Sequence, residues 1–180
     1  MAAQSGAQEI KASAEQQGER IVVNLSTRVQ ASLADTWAVL VDYDHMAGFV
    51  SNLQTSRILR RQGNHLEVEQ SGQSKVGMFS FDFASVRRIE LVPMNEIRAH
   101  LVSGDFTVFE TKTHLVEDGP ATAITYHAEF IPKAWIPPLL GPKMIASETK
   151  ILYGQLIAEV LRRVAERADK RTPAAPRTSP

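Results

Sequence analysis

The chain of 180 residues contains no cysteine. This absence excludes disulfide bonds, thiolate nucleophiles and zinc sites built on cysteine. The chain also carries no net charge, because its 20 Lys and Arg residues balance its 20 Asp and Glu residues. No overall field therefore attracts nucleic acid, and we expect no direct binding of nucleic acid.

Long apolar runs are also missing. None approaches the ~18 residues that a membrane-spanning helix needs, and the first residues lack the basic and apolar regions of a secretory signal. We therefore expect a cytoplasmic protein. Its content of 43% hydrophobic and 22% charged residues is typical of a globular domain. We expect a disordered segment over 1–8, one ligand-binding domain over 9–167 and a disordered, proline-rich tail over 168–180.

Proline is absent from Lys143 to Arg171, and this stretch has the period of an amphipathic helix from Met144 onward. Its apolar stripe consists of Ile145, Leu152, Tyr153, Leu156, Ile157, Val160, Leu161 and Val164. Burying about six such side chains is worth roughly 9–18 kcal/mol before opposing terms. A sheet must therefore cover this helix.

Strand patterns fill most of the remaining chain. Six segments between Gln54 and Ile131 are joined by short turns, and Arg20–Ala31 is a seventh strand. Glu9–Glu15 is a candidate for a short additional edge strand. Two short helices follow the first main strand, with Ser32 and Asp44 as their predicted N-caps. The fold class is therefore α+β, with a curved, seven-stranded antiparallel sheet wrapped around the long C-terminal helix.

Aromatic residues make up only 7% of the chain, but several lie in a regular pattern. Phe79, Phe81 and Phe83 alternate along one strand and should share one face of the sheet. That face either packs against the helix as core or lines a cavity, and both interpretations stay open. Phe109, Tyr126 and Phe130 on neighbouring strands are further candidates for the lining. Gly154, in the middle of the helix, indicates that a strand or a ligand needs space there.

The segment before the helix, Trp135–Pro142, contains three prolines and one glycine among large apolar residues. It is either a rigid cap over the end of the sheet or a lid that admits an apolar ligand. As a lid, it could touch a membrane transiently through Trp135 and Leu139.

Polar residues give no catalytic motif. His100, His114 and His127 occupy consecutive strands, but His114 falls about 13 Å from the others along the sheet, so we expect no metal site. His127 beside Glu110 would be either a surface pair or an oriented general base. For an enzyme acting inside a cavity, the sequence leaves Tyr126, Asp82 and Arg88 as candidates.

The order of elements and several short motifs resemble the helix-grip fold of the START-like (SRPBCC) superfamily. The similarity is greatest to the branch of polyketide cyclases and coenzyme Q-binding START proteins, and it covers roughly Ile21 to Ala165. The motifs are Ala31-Ser32, Trp37-Ala38-Val39-Leu40, Asp42-Tyr43-Asp44-His45, Phe49-Val50, Gly104-Asp105-Phe106, Phe130-Ile131-Pro132 and Trp135 through Gly141. Leu33, Thr111 and Thr113 depart from residues that are frequent in related chains.

This resemblance implies a deep apolar cavity between sheet and helix. We therefore expect binding or carriage of a hydrophobic small molecule, such as a lipid, an isoprenoid quinone or a polyketide, without a cofactor. The alternatives are a cyclase/dehydratase-type enzyme in the same cavity and a protein-interaction module similar to ribosome-associated regulators. We favour binding over catalysis and assign no catalytic residue; the oligomeric state stays open. The expected lining and lid residues are Trp37, Phe49, Phe79, Phe81, Phe83, Phe109, Tyr126, Phe130, Trp135, Leu139, Leu152, Tyr153 and Leu156.

Overall fold

The computed structural model describes residues 9–76, 79–133 and 141–171. Outside these ranges lie the N-terminal residues 1–8, residues 172–180 of the expected tail, and the expected lid residues Trp135 and Leu139. The elements in chain order are β1 (Lys11–Gln17), β2 (Arg20–Val29), α1 (Leu33–Leu40), a 3-10 helix (Tyr43–Gly48), β3 (Leu53–Gln62), β4 (His65–Val76), β5 (Phe79–Val92), β6 (Glu96–Gly104), β7 (Phe106–Asp118), β8 (Ala121–Pro132) and α2 (Gly141–Arg171).

The strands form one antiparallel sheet in the order β1-β2-β8-β7-β6-β5-β4-β3. The predicted helix-grip architecture is confirmed, but the sheet has eight strands and not seven. The added strand β1 pairs with β2 from Lys11–Ser26 to Gln17–Arg20. Gly18 has a φ of +64°, which lets the chain reverse in a tight turn between these strands.

Helix α2 packs along the inner surface of the curved sheet. Tyr153, Leu156, Ile157 and Val160 from the predicted stripe are buried. Leu161, expected in the stripe, is 39% exposed, because it lies at the margin of the apolar arc. The helix begins at Gly141 and continues to Arg171, so the first residues of the expected tail are helical. A Cβ at Gly154 would meet Ile10 at 3.8 Å, an ordinary contact, so crowding does not require glycine there.

The short helices between β2 and β3 are fixed by polar contacts. The Ser32 hydroxyl accepts a hydrogen bond from the Asp35 amide at 3.1 Å and caps α1 as predicted. Asp44 was expected to cap the second helix, but its carboxylate accepts a hydrogen bond from the Ile58 amide at 2.7 Å. This prediction is wrong because the chain turns at Asp42, two residues earlier, and Asp44 lies inside the 3-10 helix.

Ion pairs hold the C-terminal half of α2 against the short helices. The buried Glu159 carboxylate receives Arg162 at 2.7 Å and Arg163 at 2.6 Å. Arg163 also reaches Asp42 at 2.7 Å, and Arg167 reaches Asp35. The position of the helix over the sheet is therefore fixed at this end. Within the described residues, no helix is long and apolar enough to cross a membrane.

Candidate functional site

Side chains that point from the sheet toward α2 fall into two groups. In the first, packing is complete, and the exposure is 2% or less. We call this group the packed half, and it includes Val29, Leu66, Ile89, Leu115 and Ile124. Together with buried residues of α1 and α2, these side chains form the main hydrophobic core.

A row of small side chains crosses the sheet where this packing ends. Ala99 on β6, Thr111 on β7 and Ala128 on β8 are direct cross-strand neighbours. These side chains are shorter than those of the packed half, so less side-chain volume projects inward from this row. We call Ala99, Thr111 and Ala128 the small-residue row.

Beyond this row, inward-facing aromatic side chains remain only partly buried. Phe81 and Phe83 share the inward face of β5 with the buried Ser85 and Ile89, and both are half-buried. The rings of Phe106, Phe109 and Phe130 cluster, with centroids 4.6 to 6.0 Å apart. We call these five phenylalanines the open half, because they lie on the inward face of their strands and remain partly accessible.

A β-bulge explains how Phe106 and Phe109 share one face. Residues three apart on a regular strand point to opposite faces. The pairing of β7 with β8 shifts between Phe106 and Val108, so Thr107 is an extra residue. The bulge turns Phe106 inward and places its ring beside that of Phe109.

The sheet is also split at this level. In the described chain, pairing between β6 and β7 ends at His100–Glu110, although a single residue connects the two strands. The Asp105 carboxylate instead accepts a hydrogen bond from Ala84 of β5 at 2.8 Å. On the other side, the Lys133 amide donates to the Asp105 carbonyl at 3.0 Å. The turn is thus held by β5 and by Lys133, which follows β8.

Arg87 is the charged side chain on the inward face of β5. Its guanidinium lies over the Phe109 ring, 5.0 Å from the centroid, and one Nη donates to Gln70. The Gln70 amide in turn donates to the Ser56 hydroxyl at 3.0 Å and contacts the Met46 sulfur at 3.4 Å. The Nε of Arg87 is buried without a hydrogen-bond acceptor. The interior therefore contains the positively charged guanidinium of Arg87, and the Nε–H of this group has no acceptor.

Three tyrosines lie between this arginine and the packed half. The Tyr126 and Tyr153 rings are 5.2 Å apart, and the Tyr153 hydroxyl is 3.2 Å from that of Thr113. Burial raises the pKa of Tyr43 and of Tyr126 to about 12, although the positive charge of Arg87 acts in the opposite direction. Both phenols are therefore neutral at physiological pH and act only through hydrogen bonds and packing.

The N-terminal half of α2 lies over the same region. Ile145 packs against Ile21, Val23 and Ala128, and closes the space on the β2 side. Glu148, one turn before Leu152, is half-buried, and burial raises the pKa of its carboxyl group. The N-terminal half of the helix thus has a partly buried acid, whereas Glu159, near the middle of the helix, pairs with two arginines.

The structure distributes the predicted lining residues over several places. Phe81, Phe83, Phe109 and Phe130 lie in the open half; Tyr126, Tyr153, Leu152 and Leu156 lie beside it or in the core below. Trp37 is buried in the packed core. Phe49 packs at the edge of the core under Arg163, 5.5 Å from its ring, and lines a surface groove outside the helix. The Phe79 side chain lies outside the described part of the chain.

Two of the polar candidates point the wrong way. Arg88 and Asp82 are exposed on the outer face of β5, because both have the opposite parity to Phe81 and Phe83. The prediction for Arg88 is therefore wrong, and its neighbour Arg87 is the inward residue. Counting alternate residues from the phenylalanines reaches Arg87, so this signal was present in the sequence.

The histidines lie on the outer face, in a register two residues from the expected one. His127 lies opposite Lys112 and not beside Glu110, and it contacts Asn24 at 2.8 Å. Glu110 pairs with His100. The expected register was wrong because it misplaced both turns by one position. The β7–β8 turn follows the Asp118–Ala121 pair, which sets His127 opposite Lys112, and the β6–β7 turn is centred on Asp105, which sets His100 opposite Glu110. Among the described residues, no group of three His, Asp or Glu side chains could hold a metal ion.

Two concavities lie away from the open half. One, of about 460 Å³, covers outward-facing residues of β1, β2, β8 and β7, including Lys112 and His127. The other, of about 830 Å³, is the groove between the 3-10 helix and Arg163. Several of their charged side chains pair with one another, as in Asp42–His45 at 2.6 Å.

A curved antiparallel sheet closed around a long C-terminal helix, with an aromatic-lined interior, defines the helix-grip class of START-like proteins. The chain belongs to the family "Polyketide cyclase / dehydrase and lipid transport", whose model matches residues 29–148. Its fold is thus that of a lipid-binding and polyketide cyclase-type family. The sequence matches no curated protein.

Solved structures show the same fold at low sequence identity. The Zhui aromatase/cyclase from Streptomyces sp. R1128 is 16% identical with a TM-score of 0.67, covering 81% of this chain and 96% of that one. A STAR-related lipid transfer protein from Xanthomonas axonopodis is 15% identical with a TM-score of 0.69, covering 87% and 96%. Human StAR-related lipid transfer protein 5 is 11% identical with a TM-score of 0.67, covering 89% and 85%.

Proposed function

We propose that this protein binds and carries a hydrophobic small molecule in the open half of its interior. The observation that carries this proposal is the cluster of Phe106, Phe109 and Phe130, which lies on the inward face of the sheet and is only half-buried. Apolar surface left accessible inside a fold is stabilised when an apolar ligand covers it. The family match and the lipid transfer neighbours support the same class of ligand.

The proposal is tested by extracting the purified protein with organic solvent and identifying the extracted molecules by mass spectrometry. We expect a lipid-like molecule, close to one per chain. A panel of fatty acids, isoprenoid quinones and polyketide-like aromatics should raise the melting temperature of extracted protein, because a ligand that binds only the folded state stabilises it. An empty extract together with no thermal shift across the panel would contradict carriage of these ligands.

Catalysis of a cyclase/dehydratase type is a second candidate, favoured by one observation. Arg87, Gln70 and Ser56 form a connected polar chain next to the aromatic cluster, where a purely apolar lining would suffice for carriage. An arginine there could polarise a carbonyl oxygen during an intramolecular aldol condensation with loss of water. The condensation also requires a proton acceptor. The carboxylate of Glu148 is the candidate to test, because burial raises the pKa of this group.

The two candidates separate in a turnover experiment with a linear poly-β-ketone. An enzyme would accelerate the appearance of the aromatic product's absorbance in proportion to protein concentration, and Glu148→Gln would slow it. A carrier would bind the compound without changing its spontaneous cyclisation rate. Product formation at the same rate with and without protein would exclude catalysis on that substrate.

A further inference from the structure

We propose that the ligand of this protein carries a single carboxylate and that Arg87 binds it in the open half. This inference rests on the proposed carriage of a hydrophobic molecule and adds the chemistry of its polar end. The ligand class is thus a monoanionic amphiphile, with its apolar part against the phenylalanines.

The guanidinium of Arg87 is held in place before any ligand binds. Gln70 accepts from one Nη and is itself fixed by Ser56 and Met46. The guanidinium also lies over the Phe109 ring, with its central carbon 5.0 Å from the ring centroid, in a cation–π contact. A planar donor group fixed in this way loses little conformational freedom on binding, and its fork matches a carboxylate.

The charge of Arg87 is also uncompensated by protein. Arg162 and Arg163 each pair with the carboxylate of Glu159. Arg87, by contrast, forms no ion pair with an acidic side chain of the described residues, and its buried Nε has no acceptor. An unpaired charge and an unsatisfied donor are unfavourable inside a protein. A ligand carboxylate would supply both the opposite charge and the acceptor.

The residues around Arg87 favour a ligand with one negative charge over a ligand with two. Tyr43 and Tyr126, which interact electrostatically with Arg87, remain neutral because burial raises the pKa of each to about 12. They can stabilise an anion only as dipoles. A carboxylate would balance the single positive charge of Arg87, whereas a phosphate monoester dianion would exceed it by one negative charge next to Phe109 and Phe130.

The test compares three probes with the same twelve-carbon chain, which are dodecanoate, 1-dodecanol and dodecyl phosphate. We expect extracted wild-type protein to bind dodecanoate at least tenfold more tightly than dodecanol at neutral pH, measured by calorimetry. Arg87→Met should remove this preference by weakening dodecanoate at least tenfold, with dodecanol binding unchanged. Arg88→Met is the matched control, since its side chain is next in sequence but exposed, and it should bind as wild type.

The outcomes distinguish the two levels of the proposal. Equal binding of acid and alcohol by wild type, or an acid preference that survives in Arg87→Met, would overturn the role of Arg87 and leave carriage intact. Tighter binding of dodecyl phosphate than of dodecanoate would overturn the assignment of a carboxylate. Binding of none of the three probes would contradict carriage of such chains itself. Arg87→Lys, which retains the charge without the planar fork, should show an intermediate preference if Arg87→Met does not fold.

Discussion

The two halves of the interior use the same strands in different ways. On β5, Ile89 is fully buried, while Phe83, six residues earlier on the same face, is only half-buried. On β7, Leu115 is 1% exposed, while Phe109 remains half-buried and carries Arg87 over its ring. The small-residue row separates the halves. One end of the strands is therefore completely packed, and the other end, where packing is incomplete, is the place at which we propose that a ligand binds.

The largest expected effect is a contrast in stability along β5. Ile89→Ala should lower the free energy of unfolding by about 2–5 kcal/mol, since it creates a cavity in complete packing. Phe83→Ala should lower it by less than about half as much, although it removes a larger side chain, because part of that ring contacts no protein. Urea unfolding followed by circular dichroism measures both. Equal losses would show that the open half is packed.

A second prediction concerns the ion pairs that hold α2 over the packed half. Hydrogen bonds from Arg162 and Arg163 lower the pKa of Glu159 to about 2, although burial acts in the opposite direction. Glu159→Gln should therefore lower the free energy of unfolding at neutral pH by about 2–3 kcal/mol. The exposed Glu166, which pairs with Arg162, is the control, and Glu166→Gln should change it by less than about 0.5 kcal/mol.

The pH dependence of this effect has a definite sign. Because the folded-state pKa of Glu159 is lowered, its contribution is complete above the unfolded value of 4.5 and disappears as the pH falls toward 2. The stability difference between wild type and Glu159→Gln should shrink over this range. A difference that stays constant from neutral pH to pH 2 would contradict the ion-pair explanation.

A third prediction concerns a larger side chain in the small-residue row, between the packed half and the open half. Thr111→Trp places a large ring in the small-residue row, between Ala99 and Ala128. It should weaken binding of dodecanoate at least tenfold, which is about 1.4 kcal/mol, because the indole ring would project into the region where we propose that the ligand binds. Leu115→Met, a change of similar polarity within the packed half, should leave binding unchanged. Undiminished binding by Thr111→Trp would place the ligand elsewhere.

Alternation and period were enough to predict the fold, because each strand and the long helix have one clearly apolar face. The same alternation placed Phe81 and Phe83 inward. It failed where the register depends on features without a clear sequence signal. The bulge at Thr107 brought Phe106 to the inner face, and the exact positions of the β6–β7 and β7–β8 turns set the pairings of His100 and His127. Arg87 follows from the same alternation when it is continued past Phe83 and Ser85, although the candidate named from the sequence was its neighbour Arg88.

The smallest expected effect lies at the other glutamate of α2. Burial raises the pKa of Glu148, so its ionised form is less stable in the folded than in the unfolded chain. Glu148→Gln should therefore stabilise the protein at neutral pH, by less than Glu159→Gln destabilises it. Because a raised pKa disfavours folding only when the group is ionised, the gain should vanish as the pH falls below 4.5 and the carboxyl is protonated in both states. Thermal unfolding across pH measures both substitutions. Opposite signs of the stability change would show that an ionised glutamate is unfavourable beside the open half and favourable beside the packed half. A loss of stability in Glu148→Gln would instead indicate that this carboxylate has a cationic partner.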